Sequence, residues 1–171
     1  MDITLEQLLR SRDARQETQR KLLQKYKGKT LLCLTVIMPG KEKRNTNSLI
    51  VARVAMQTIE SNFEQQIIYK EEKDLQTGFE VYYIIDKEAI SLKKELCKIE
   101  QEHLLGRLFD MDVINSEGIP ISRKDIGFEP RKCLICEKES RFCMRNFTHS
   151  QEELQRKIDQ QIKAYLSLEK K

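Results

Sequence analysis

A chain of 171 residues with net charge +4, 39% hydrophobic and 34% charged side chains can build one core under a well-solvated surface. No apolar run approaches the roughly 20 residues that span a bilayer, and residues 1–20 are too polar for an export signal, which excludes membrane insertion, collagen and extended disorder. Five cysteines, an odd number, then argue for reduced thiols in a cytoplasmic chain rather than a disulfide framework.

The first predicted element is a helix from Thr4 to about Lys27, with capping-box patterns at Thr4-x-x-Gln7 and Asp13-x-x-Gln16. Its apolar stripe of Leu5, Leu8 and Leu9 resumes only at Leu22, Leu23 and Tyr26. Between them the same face carries Arg12, Arg15 or Gln16, and Gln19. Such a stripe either faces a cleft or breaks into two helices. Residues 31–38 (LLCLTVIM) form a continuous apolar run of strand length, stopped by Pro39-Gly40 and followed by the polar KEKRNTN. Apolar residues recur at helical spacing over 48–61, and 65–69 and 80–85 read as strands joined by EEKDLQTG as a loop.

A helix over 87–102 has Asp86 as N-cap and a stripe of Leu92, Leu96 and Ile99, which His103 extends. Residues 107–114 predict a short strand, 115–118 a turn, 119–123 a returning strand, and 130–149 a cysteine-bearing loop. Ser150-x-x-Glu153 opens a last helix with Leu154, Ile158, Ile162 and Leu166 on one side. No βαβ rhythm or repeat is present. The reading is α+β: a single domain over 1–171, with a mixed central sheet and helices packed on it.

The most informative segment is HLLGRLFDMDVI, residues 103–114. Alternation along a strand sends Phe109, Met111 and Val113 into a core and Asp110 and Asp112 to the opposite face. Two ionised carboxylates about 7 Å apart on one face repel each other unless a cation or basic group intervenes. A hard divalent ion such as Mg²⁺ resolves this, because it takes carboxylate oxygens and substrate phosphates as ligands. The plainer alternative is a pair of solvent-facing aspartates guarding an edge strand. Gly106, Arg107 and His103 stand beside the pair; Arg107 offers a guanidinium matched to phosphate, and His103 is otherwise a helix-end residue.

Charge is uneven. Residues 1–120 carry 19 basic and 19 acidic side chains, whereas 121–146 carry seven basic and four acidic. The excess therefore marks a local site for phosphates or an acidic partner, if it is not simply a solvated loop.

Several strings occur together: E-x-x-H-L-L-G-R-L-F-D-M-D-V at 100–113, I-S-R-K-D at 121–125, P-R-K-C-L-I-C at 130–136, and C-x-R at 143–145 with His149. S-R-D-x-R-Q at 11–16 and T-V-x-x-P-G-x-x-K at 35–43 precede them. In this order, over nearly the whole chain, they resemble the citrate lyase holo-acyl-carrier-protein synthase family, also called apo-citrate lyase phosphoribosyl-dephospho-CoA transferase. Leu104 stands where that family usually has proline. The resemblance implies a nucleotidyltransferase-like enzyme that uses 2′-(5″-triphosphoribosyl)-3′-dephospho-CoA as donor. A serine of the apo acyl carrier (gamma) subunit of citrate lyase attacks the ribose-linked phosphate, and diphosphate leaves.

That chemistry needs in-line positioning, charge neutralisation and a proton acceptor. The candidate catalytic residues are Asp110, Asp112, Arg107 and His103, with Asp110 and Asp112 holding Mg²⁺ and one of them, or a third carboxylate, taking the serine proton. Arg123 and Arg131 are candidates for gripping phosphate, as are Arg12 and Arg15 if their helix faces the cleft; surface salt bridges are the alternative for each. The basic segment suits both a polyphosphate donor and an acidic carrier. Neither nucleic acid nor a membrane is an expected partner, since no aromatic stacking platform accompanies the charge.

Cys133-x-x-Cys136, Cys143 and His149 make a C-x2-C-x6-C-x5-H set of tetrahedral zinc-ligand types. Structural zinc and buried reduced thiols both remain open for it. A redox C-x-x-C is less favoured, because no thioredoxin-like βαβ setting surrounds it.

Overall fold

Thr4 opens the first helix in the computed structural model, which describes residues 3–169. Its hydroxyl accepts from the Gln7 amide at 3.2 Å while the Gln7 side chain accepts from the Thr4 amide at 2.9 Å, a reciprocal cap contributing about 1 kcal/mol. The chain then builds α1 (Leu5–Lys25), β1 (Thr30–Val36), α2 (Thr46–Phe63), β2 (Ile67–Leu75), β3 (Gly78–Ile85), α3 (Ala89–Glu102), β4 (Phe109–Ile114), α4 (Ser140–Arg145) and α5 (Gln151–Leu168). Among the described residues no helix is long and apolar enough to cross a membrane.

The strands form one sheet in the order β2-β3-β1-β4, with every neighbouring pair antiparallel. The mixed sheet expected from the sequence is thus antiparallel. Each crossover, through α2 and through α3, returns the chain two places along the sheet, and the slot between is filled by a strand running the other way. This is the split βαββαβ, or ferredoxin-like, arrangement.

Alternation decides the two faces. Leu32, Leu34, Val81, Tyr83, Phe109, Met111 and Val113 point to one side, where Val51, Ala55, Ile59 and Phe63 of α2 and Leu92 and Leu96 of α3 cover them. Helix α5 adds Ile158 and Ile162 to this core, and its Asp159 accepts from Asn47 at 2.6 Å. On the other face Leu31, Cys33, Tyr82, Ile84 and Ile114 meet Leu22 of α1. Only that end of the second face is apolar.

Helix α1 is unbroken, so the Asp13 capping pattern opens nothing. Its polar middle lies over the polar part of the sheet instead: Ser11 bonds Thr77 at 2.9 Å, and Lys73 donates to Thr18 at 2.7 Å. The segment expected as a loop at 71–78 is mostly strand, since β2 runs to Leu75; its charges are those of an edge strand that needs no second apolar face. Asp86 does not cap α3. It pairs with Lys29 at 2.7 Å, and Glu88 caps instead, accepting from the Ile90 and Ser91 amides at 2.8 and 2.7 Å. The returning strand at 119–123 reduces to one bridge between Ile114 and Pro120, because proline has no N–H to extend a ladder.

Gly106 sits where α3 meets β4. A Cβ there would stand 2.5 Å from the Glu100 carbonyl oxygen and 2.8 Å from that of Ile99, both rigid helix backbone. Gly106→Ala is expected to cost about 1–3 kcal/mol, read as a lower urea midpoint at constant slope. An unchanged midpoint would mean this turn yields freely.

Candidate functional site

Strand β4 carries the site because its two sides have different fates. Phe109, Met111 and Val113 are buried, which leaves Asp110 half-buried and Asp112 open to solvent on the opposite face. Three carbonyls on the outer edge of β4, the last strand of the sheet, already have partners. The Phe109 carbonyl accepts from Arg131 Nη2 at 3.3 Å, that of Met111 from Lys93 Nζ at 2.8 Å, and that of Val113 from the Ile121 amide at 2.8 Å. These bonds already occupy part of the edge that a pair of aspartates would otherwise guard.

The ladder adds further polar groups to this face. Thr35 of β1 pairs with Asp110 on one side and Glu80 on the other, and Cys33 pairs with Asp112; residues opposite one another share a face. Thr35 Oγ1 donates to Asp110 Oδ2 at 3.1 Å. Glu80 is buried and accepts from Arg15 Nε at 2.9 Å and from the Tyr82 hydroxyl. Asp112 makes no hydrogen bond or ion pair among the described residues. Burial first, and then the charge of Asp110, raise its carboxyl above the ordinary range. It reaches water at the surface, yet enough protein stands around it to disfavour its charged form.

Beside the aspartates stands a knot of arginines around one buried carboxylate. Glu100 accepts from Arg131 Nη2 at 2.8 Å and from Arg123 Nη2, and its side chain is only 2% exposed. Arg131 also reaches Asp110 Oδ1 at 3.4 Å. Arg107 is half-buried with no hydrogen bond or ion pair of its own among the described residues. Burial, followed by the charges of Arg131 and Arg123, lowers its pKa. Apart from that pair, the three guanidiniums are met by one carboxylate, Glu100, so the positive charge of the cluster faces Asp110 and Asp112.

The sequence-predicted residues are therefore divided. Asp110, Asp112, Arg107, Arg123 and Arg131 come together, and Arg15 joins them from α1 through Glu80. Arg12 is exposed and bonds nothing on the sheet. His103 is not brought here. It ends α3, accepts from the Leu105 amide at 3.0 Å, and lies between the rings of Phe109 and Tyr165 at 5.0 and 5.6 Å, on the helical side. The sequence reading missed Glu80, Glu100 and Lys93. Glu100 opens the E-x-x-H string, and Lys93, Cys97 and Glu100 repeat at helical spacing along one buried side of α3. A groove of about 560 Å³ opens one strand step from Asp112, lined by Gln16, Gln19 and Leu23 of α1 with Ile114 and Pro120.

A second cluster lies in the loop that supplies Arg131. One ligand atom from each of Cys133, Cys136, Cys143 and His149 falls within 4.8 Å of all the others, a set that could hold a metal ion. Cys136 and Cys143 Sγ are 3.5 Å apart, His149 Nε2 is 3.3 Å from Cys136 Sγ, and the Ile135 amide donates to Cys133 Sγ at 3.5 Å. A tetrahedron with metal–sulfur bonds of about 2.3 Å has edges of about 3.7 Å, close to the 3.5 Å between Cys136 and Cys143 and the 3.3 Å between His149 and Cys136.

A family profile described as "Apo-citrate lyase phosphoribosyl-dephospho-CoA transferase" matches residues 3–165. A "Probable apo-citrate lyase phosphoribosyl-dephospho-CoA transferase" from Vibrio cholerae serotype O1 is 35% identical over 174 aligned positions, covering 96% of this chain and 94% of that protein. One of the same name from Streptococcus pyogenes serotype M18 is 32% identical, covering 96% and 88%. "Protein CitXG" of Haemophilus influenzae is 35% identical over 159 positions; these cover 91% of this chain but only 34% of that longer protein. This chain belongs to the apo-citrate lyase phosphoribosyl-dephospho-CoA transferase family.

Proposed function

We propose that the chain transfers phosphoribosyl-dephospho-CoA from 2′-(5″-triphosphoribosyl)-3′-dephospho-CoA to a serine of the apo acyl carrier (gamma) subunit of citrate lyase, releasing diphosphate. The serine oxygen forms a bond to the phosphorus attached to ribose, the bond from that phosphorus to the diphosphate oxygen breaks, and the hydroxyl proton passes to a carboxylate. The observation that carries the reading is Asp112, an unpartnered carboxylate raised by burial and by Asp110, on the same face as that residue and beside an arginine cluster with surplus charge. Asp110 and Asp112 would hold Mg²⁺, which when bound neutralises charge on the departing diphosphate. Arg107 grips phosphate directly. Arg123 and Arg131, held by Glu100, set the positive field around it. The groove beside Ile114 suits the dephospho-CoA arm of the donor, and Glu80 is the third carboxylate of this face, kept in place by Arg15.

Zinc is the metal this reading assigns to Cys133, Cys136, Cys143 and His149, with a structural role and a setting of reduced thiols that suits the cytoplasm. The test uses the purified chain with Mg²⁺, the apo carrier subunit and the triphosphoribosyl donor. A mass gain on the carrier equal to the phosphoribosyl-dephospho-CoA group is expected; no gain with an active donor preparation overturns the transfer reading. Metal analysis of the same sample should give one zinc per chain, lost in Cys136→Ser. A zinc-free chain with unchanged thermal stability after chelation refutes the zinc assignment.

A further inference from the structure

Helix α4 and the turn after it show solvent the side chains a fold normally hides. Phe147 is 89% exposed, Met144 73% and Phe142 47%. Phe147 is also the one non-glycine residue with positive φ among the described residues, at 46°, a conformation costing about 1–2 kcal/mol. That strain holds out a ring that nothing covers.

The surrounding charge is one-sided. Arg141 and Arg145, one turn apart on α4, are exposed and make no ion pair among the described residues. Lys138 lies over the Phe142 ring at 5.0 Å. Of the two carboxylates in this loop, Glu137 is engaged by Lys132 at 2.5 Å; only Glu139 remains. The patch is also firmly mounted. The Ser140 amide donates to the Arg131 carbonyl at 2.8 Å, the Cys133 amide to Lys138 at 2.7 Å, and the Thr148 amide to Cys143 at 3.1 Å. The residue that receives the first of these bonds is the one whose guanidinium touches Asp110.

We infer that this face of α4, an apolar tip rimmed by free cations and tied to the site through Arg131, is the docking surface for the acidic carrier subunit. The inference rests on the transfer reading, which requires a protein acceptor to approach the aspartates. Exposed apolar side chains surrounded by cations suit a protein surface of complementary sign with an apolar centre. A preformed patch lets such a partner dock without ordering a loop. A single-stranded nucleic acid is the less favoured occupant, since the positive charge does not continue along a groove.

The experiment compares wild type with Arg141→Glu/Arg145→Glu and with Phe147→Ser, measuring binding of the labelled apo carrier by fluorescence anisotropy and transfer at varied carrier and varied donor. Both variants are expected to weaken carrier binding at least tenfold and raise KM for the carrier alike, with KM for the donor within twofold of wild type and zinc content unchanged. Carrier affinity equal to wild type in the charge-reversed variant overturns the inference, and so does loss of oligonucleotide binding while carrier binding persists. Carrier bound by wild type and lost by the variants, with no transfer by any of them, supports the docking surface and defeats the transfer reading alone.

Discussion

Asp112→Asn should lower the transfer rate by about 10²–10³-fold, the scale on which removal of one preorganised charge-stabilising group is felt, while carrier binding stays at the wild-type level. Its effect on stability runs the other way. The Asp112 carboxyl is raised in the folded protein by burial and by Asp110, so the fold holds this proton more tightly than the unfolded chain does. The stabilising contribution of that proton is full below the unfolded pKa and is lost as pH rises through the raised folded value. At neutral pH the metal-free wild type therefore carries an unrelieved carboxylate repulsion that the amide removes. Thermal melts at pH 7 without divalent ion should show Asp112→Asn at or above wild type, and added Mg²⁺ should stabilise wild type more than the variant. A rate within twofold of wild type would take Asp112 out of the mechanism; a lower Tm with a matching loss of rate would make it a structural residue. In the metal-free protein Asp110→Asn removes one of the two raising causes, so Asp112 should titrate lower there, followed by carboxylate NMR.

What the sequence makes legible here follows the range of the interactions involved. The D-x-D face can be read because strand alternation is local: three apolar residues at 109, 111 and 113 force the two aspartates to the other side. Capping at Thr4 and Ser150 is equally local. The hidden parts depend on contacts far apart along the chain. Glu80 becomes a site residue only because β1 runs between β3 and β4 and puts Thr35 beside both it and Asp110. His103 extends a helical stripe on paper, yet the chain turns at Leu105 and leaves its ring against α5. The interrupted stripe of α1 has a similar cause, since Arg15 faces a buried Glu80 that composition could not locate. The edge charges of β2 carried no strand signal because an edge strand needs none.

Glu100→Gln tests the arginine knot, and its expected effect on the fold is the largest. The carboxylate is buried and holds Arg123 and Arg131, whose side chains are only 15% and 19% exposed, so these ion pairs have little solvent to screen them. The amide keeps the volume but removes the one full negative charge at the centre of three guanidiniums, Arg107 included. Breaking one partner of such a buried pair costs about 3–5 kcal/mol, which for a chain of this size is about 10 °C in Tm. The freed Arg131 also loses its aim at Asp110, so transfer should fall along with stability. Diphosphate distinguishes this account from simple unfolding. Added to the folded variant, it should raise Tm more than it does for wild type, because an anion can take the place the carboxylate left among the guanidiniums. Equal stabilisation of both proteins would show that Glu100 holds the α3–β4 junction together but does not set the charge of the site.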